Sequence, residues 1–190
     1  LTTKSFKIAG LLAMASAFLS LPLAYLSVSL EGRTETNAIV ILTIIQISGT
    51  LLFVAIVLYL KRFLNTLFNF HNTDRNMDLL VISSMAAGIL SIGALYYIPL
   101  KESLGTVAIA ILVVQGIVQA QFGYKLLKLP DSLGGMLKPF CYANLATGIL
   151  LASVVLIPLA ILVSAISDLM LGTIFFNMAR MARGDDLKRG

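Results

Sequence analysis

Apolar residues run along this chain in blocks of about twenty, separated by short polar or charged breaks. A helix needs ~20 apolar residues to cross the ~30 Å hydrocarbon layer of a bilayer. The blocks therefore predict spans at about 6–26, 38–60, 79–98 and 104–127, the first three closed by polar residues at 31–35, Lys61-Arg62 and Lys101-Glu102. From Pro139 an apolar run continues to Ala179, interrupted by one charge at Asp168. As a single helix that run would be ~60 Å long at 1.5 Å per residue. It predicts two spans instead, about 139–157 and 160–180, with a turn near Ile157-Pro158-Leu159. The expected fold is all-α: a polytopic transmembrane helical bundle of six spans, arranged as three helical hairpins in one domain over residues 1–190.

Charge orients this scheme. With the N-terminus inside, one side receives Lys4, Lys7, Lys61, Arg62, Arg75, Lys125, Lys128, Lys138, Arg180, Arg183, Lys188 and Arg189. The other receives only Arg33 and Lys101. Cytoplasmic loops carry such an excess of Lys and Arg, so both termini are expected in the cytoplasm and the protein in a plasma or inner membrane. Merging the last two spans would send the basic C-terminus outside. Lys4, Lys7, the apolar stretch and Ser27-Val28-Ser29 also follow the order of a signal peptide. The stretch is long for that role and is read as a span.

Composition agrees. Of 190 residues, 58% are apolar and 12% charged, against about 25% charged in a soluble domain. So few charges cannot cover a water-facing surface, which makes membrane lipid the main solvent. The net charge of +5 resides at helix ends rather than in a patch interleaved with aromatics, which argues against nucleic acid as a partner.

The blocks also resemble one another. Gly10, Gly88 and Gly148 each sit early in an odd-numbered span, and Pro22, Pro99 and Pro158 follow at its far end. Gly49, Gly116 and Gly172 recur in the even spans. One reading is an internal triplication, with glycine permitting close helix approach and proline stopping each outgoing helix. The other is chance, because these residues are common in membrane helices.

Between hairpins, residues 61–71 place Phe63, Leu64, Leu67, Phe68 and His71 on one helical face. That pattern predicts an interfacial amphipathic helix or a plain extension of the second span. Thr73, Asp74 and Asn76 are expected to cap the third span. Residues 129–135, with Pro130-Asp131-Ser132 and Gly134-Gly135, read as a turn-rich connector.

Candidate chemistry is sparse. His71 is the only histidine and Cys141 the only cysteine, so no metal site or haem ligation is expected. Nor does the chain carry a nucleophile elbow or a carboxylate pair within a span. No catalytic residue, cofactor or metal is assigned. Asp168 is the exception. A carboxylate near mid-bilayer costs ~2.5–3.5 kcal/mol and should face protein or a wet cavity. Ser164, Asp168 and Gly172 share one face, a seam of small residues where another helix can approach. Gln46 and Gln115 reach a similar depth. The expected site is a buried polar layer of Asp168, Gln46, Gln115, Ser48 and Ser167, with a second tier of Gln119, Gln121, Asn144 and Asn177 nearer the cytoplasm. Its role is either interhelical adhesion, at ~0.6–2 kcal/mol per hydrogen bond, or a proton, cation or partner-contact site.

Two functions follow. The first is a non-catalytic accessory, scaffold or regulatory subunit, acting through helix contacts with a protein partner or in a homo-oligomer. The alternative is a small-solute or ion transporter with a mid-membrane polar site around Asp168.

Overall fold

The computed structural model describes residues 3–30, 35–130 and 133–189, with side chains described through Ala182 except Ile98. Arg33, Asp131 and Ser132, and the side chains of Arg183, Lys188 and Arg189, lie outside the described residues. Among the described residues the regular elements are all helical: α1 (Thr3–Leu30), α2 (Thr36–Phe68), α3 (Asp74–Tyr96), α4 (Lys101–Leu126), α5 (Leu137–Ala152) and α6 (Ile157–Arg189). A short 3-10 turn, Ile98–Leu100, joins α3 to α4. Five of the helices, all except α5, are long and apolar enough to cross a membrane. Helix α5 has 16 residues, ~24 Å by helical rise.

The helices form a closed ring. Each packs on its neighbours in sequence, α6 returns to pack on α1, and among the described residues no other pair of helices brings its backbones close across the middle. Every adjacent pair is antiparallel. Phe6 of α1 meets Phe63 of α2, and Thr50 of α2 lies beside Gly88 of α3. Gly93 of α3 faces Leu104 of α4, and Gly123 of α4 faces Cys141 of α5. Asn144 of α5 bonds Ser167 of α6, and Gly10 of α1 packs against Phe176 of α6. The start of α1 and the last described turns of α6 therefore share one end of the ring.

Two seams hold the backbones close. A Cβ added at Gly148 would fall 2.5 Å from the Gly116 carbonyl oxygen, so α4 and α5 touch along their backbones there. Gly172 packs against Met14 and the Gly10 carbonyl oxygen, 3.0 and 3.2 Å from where its Cβ would stand. Lipid tails are as apolar as the side chains they would replace, so close van der Waals packing of this kind is what favours helix association in a bilayer. The three odd-helix glycines behave alike: Gly10, Gly88 and Gly148 each face the even helix before them in the ring, α6, α2 and α4. The tightest contacts thus join different hairpins, whereas α1 and α2, joined in one hairpin, touch least.

The prolines do not behave alike. Pro22 lies inside α1, Pro99 in the 3-10 turn, and Pro158 in the first turn of α6. Only Pro99 follows the end of a helix as expected. The α5–α6 turn falls at 153–156, earlier than the proline suggested, because a first helical turn accepts proline without losing a hydrogen bond. Val154 takes a left-handed backbone there, φ 60°, a conformation disfavoured for a β-branched residue.

Apolar packing concentrates at the end that holds the start of α1. Phe63, fully buried, is edge-on to Phe6, Phe68 and Phe175 at centroid distances of 5.9, 5.5 and 5.5 Å. Leu64, Met77, Leu126, Leu133 and Ile174 fill the space around it. Of the two readings for 61–71, the structure takes the plain extension: through Phe68 the segment is the last two turns of α2, with Phe63 and Leu64 turned into the core and Leu67 exposed. The capping expectation also changes. Thr73 precedes α3 without a side-chain cap, while Asp74 accepts hydrogen bonds from Asn65 Nδ2 at 2.8 Å and pairs with His71 Nδ1 at 2.9 Å. Asn76 is buried and ties α3 to α4, accepting from Lys125 Nζ at 2.7 Å and donating to the Val118 carbonyl at 3.2 Å. Around the outside, Leu11, Phe18, Ile44, Ile82, Ile89 and Ile149 are exposed, as a lipid-facing belt requires.

Gly148→Ala should force α4 and α5 apart and lower the unfolding midpoint in mixed micelles by the equivalent of ~2 kcal/mol or more. Gly49, with nothing within 4 Å of an added Cβ, is the control. Gly49→Ala should leave the midpoint unchanged or raise it, since alanine favours helix by ~0.5–1 kcal/mol over glycine.

Candidate functional site

Because no helix occupies the middle of the ring, its interior must be filled by side chains or left open. Toward the end holding the start of α1 it is filled by the aromatic cluster. Toward the other end it opens into a cavity of 430 Å³ lined by residues from all six helices. The size falls within the ~300–1,000 Å³ of ligand pockets.

Its polar wall consists of amides and hydroxyls. Helix α2 supplies Gln46 and Thr50, α4 supplies Gln115 and Gln119, and α1 supplies Ser16, Ser20 and Ser27. Ser84 of α3, Thr147 of α5 and Ser164 of α6 complete it. Among the described residues no Lys, Arg or His lines the cavity. Among the described residues no group of three or more His, Cys, Asp or Glu could hold a metal ion.

Directly beneath lies a second pocket of 40 Å³, which shares Phe53, Gln119 and Ser164 with the first and is lined by Asp168, Asn144 and Ser167. Here Asp168 Oδ2 accepts a hydrogen bond from Ser16 Oγ across the α1–α6 seam at 2.6 Å. Beside it runs a chain of three residues from three helices. Gln119 Nε2 donates to Asn144 Oδ1 at 3.4 Å, and Asn144 Nδ2 donates to Ser167 Oγ at 2.9 Å and to the Phe140 carbonyl at 3.0 Å.

The structure therefore separates what the sequence grouped in one layer. Gln46 and Gln115 line the upper cavity, and Asp168 lies in the lower pocket. Among the described residues no hydrogen bond joins any two of the three. Ser167 belongs with Gln119 and Asn144, in the second tier. Ser48 is exposed on the outside of α2, because two helical residues on from Gln46 is ~200° around the axis. Gln121 sits apart with Asn76, accepting from its Nδ2 at 3.4 Å. The seam Ser164, Asp168, Gly172 is met by α1, as Gly10, Met14 and Ser16 show. Ser16 and Ser20 escaped notice, since a serine in an apolar span is ordinary. Their spacing of four with Ser27 one stripe further on was the available signal. Cys141 is buried in the α4–α5 seam, a packing position.

Asn144→Leu keeps the volume but removes the acceptor for Gln119 and the donor for Ser167. It should lower stability in mixed micelles by about 1–2 kcal/mol, with secondary structure unchanged by circular dichroism. No protein-family model, curated protein or solved structure matches this chain, so the reading of the site rests on its own residues.

Proposed function

We propose that this protein is a six-span transporter for a small, uncharged polar solute, which binds in the cavity at the centre of the ring. The observation that carries the reading is the composition of that cavity: all six helices contribute, and among the described residues its polar groups are amides and hydroxyls without a basic residue. Amides offer both donors and acceptors, which suits a neutral solute rich in hydrogen-bonding groups. The absence of cationic lining argues against an anion. One end of the ring is sealed by Phe63 and its neighbours while the other is open, the asymmetry needed of one state in alternating access.

In this reading α5 is the sixth span. Its ~24 Å falls short of the ~30 Å core, and the flanking turns make up the difference. The sealed end carries Lys4, Lys7, Lys61, Arg62, Arg75, Lys125, Lys128, Lys138 and Arg180, whereas the open end carries Lys101 among the described residues. By the positive-inside rule the sealed end and both termini are cytoplasmic, and the cavity opens outward. The shared packing of Gly10, Gly88 and Gly148 supports descent from a tripled hairpin.

Cysteine accessibility tests the reading, and replacing Cys141 clears the background. In a Cys141→Ser chain, Ser20→Cys and Gln46→Cys should react with a membrane-impermeant thiosulfonate added outside, and Leu64→Cys should not. Proteoliposomes should then take up at least one of radiolabelled glycerol, urea and glucose, and the reagent should block that uptake in Gln46→Cys. Unreactive cavity cysteines, no uptake, and stoichiometric purification with another membrane protein would instead establish the accessory role.

A further inference from the structure

The lower pocket poses a separate question. Among the described residues Asp168 has a single hydrogen bond there, from Ser16, and no basic side chain lines either pocket to balance its charge. The pocket is nevertheless not collapsed. Its 40 Å³ exceeds the ~10–15 Å³ that one water-sized sphere occupies on this measure. That is room for an ion with a water, and too little for the solute of the cavity above.

We infer that Asp168, Ser16, Ser164 and Gln119 form a binding site for a monovalent metal cation, sodium, beneath the solute cavity. Each contributes an oxygen with lone pairs to spare. Ser16 lines the upper cavity and donates a hydrogen bond from there to Asp168, which leaves its hydroxyl oxygen free to accept or coordinate. Gln119 directs its Nε2 to Asn144, which frees Oε1 for other contacts. Ser164 stands one turn before Asp168 on α6, and both it and Gln119 line the pocket.

The donor set selects the ion. All the donors are hard oxygens, with no imidazole or thiolate to hold a transition metal. A single carboxylate balances one positive charge, whereas calcium sites gather several. A proton alone would need none of the additional oxygens.

Such an ion would tie α1, α4 and α6 together at the floor of the cavity. Gln119 and Ser164 line both pockets, so an ion that fixes them also fixes part of the solute's wall. The coupling rests on the transport reading, and linkage makes it reciprocal: sodium raises solute affinity by the factor by which solute raises sodium affinity.

The ion site is testable without a solute. The melting temperature of the purified protein in detergent is followed as sodium chloride replaces choline chloride at constant ionic strength. It should climb with the logarithm of sodium concentration above the dissociation constant. Asp168→Asn should abolish the dependence, and Ser16→Ala should shift it to about tenfold higher sodium, the loss of ~1.4 kcal/mol of binding. A wild-type curve flat in sodium, or one that moves only with pH, overturns the assignment. So does an undiminished response in Asp168→Asn or, where that variant does not fold, in Ser16→Ala. Uptake in proteoliposomes then separates the two ideas. Uptake accelerated by an inward sodium gradient supports coupling, and uptake indifferent to sodium overturns it. A sodium-dependent melt with no uptake of glycerol, urea or glucose would retain the ion site and remove the transport reading.

Discussion

Backbone-to-backbone contact at glycine is the constraint from which the rest of this structure follows. In lipid, burying leucine against leucine gains little over burying it against an acyl chain, so helices associate where they can approach closely. Gly116 with Gly148 and Gly10 with Gly172 provide two such seams, one between α4 and α5 and one between the first and last helices. The second is the consequential one. It joins the two ends of the series and turns six consecutive antiparallel helices into a ring.

A ring of six has a middle that no helix fills, and the chain treats its two ends differently. At one end large aromatic and aliphatic side chains meet: Phe6, Phe63, Phe175 and Ile174. Edge-on aromatic pairs add ~0.5–1.5 kcal/mol each beyond their buried area, which makes this end the rigid part of the bundle. At the other end serine, threonine and glutamine share the inward positions with aliphatic side chains, and together they leave the axis open. Between the two lies Asp168, held by Ser16 across the seam that closes the ring. The contact that completes the architecture and the most polar point of the interior are therefore the same place.

Much of this was legible beforehand, and the failures have definite causes. Block length and charge asymmetry gave six helices, and Gln46, Gln115 and Asp168 stood out because each interrupts an apolar span; all three do line the interior. Their depth could be counted from helix ends, but not their rotation, so Ser48 was drawn inward when it faces out. The stripe from Phe63 to Phe68 has the same 3.6-residue period whether it meets headgroups or the core of the bundle. Only the packing distinguishes the two. Proline can end one helix or open the next, which is why Pro158 misplaced the last turn. Ser16 carried no mark of its own, because its importance arises from the residue opposite it, more than 150 positions away in sequence.

The ring closure between α1 and α6 is the claim on which cavity, seam and ion site all depend, and a disulfide tests it directly. In a Cys141→Ser background, cysteines at positions 14 and 172 should cross-link on mild oxidation in the membrane. Met14 Cγ lies 3.0 Å from where a Cβ at 172 would stand, within the reach of a disulfide. The cross-linked chain should migrate as a compact monomer that reverts on reduction. Thiols that stay free, or that link only between separate chains, would mean that α1 and α6 do not meet and that the ring is not closed.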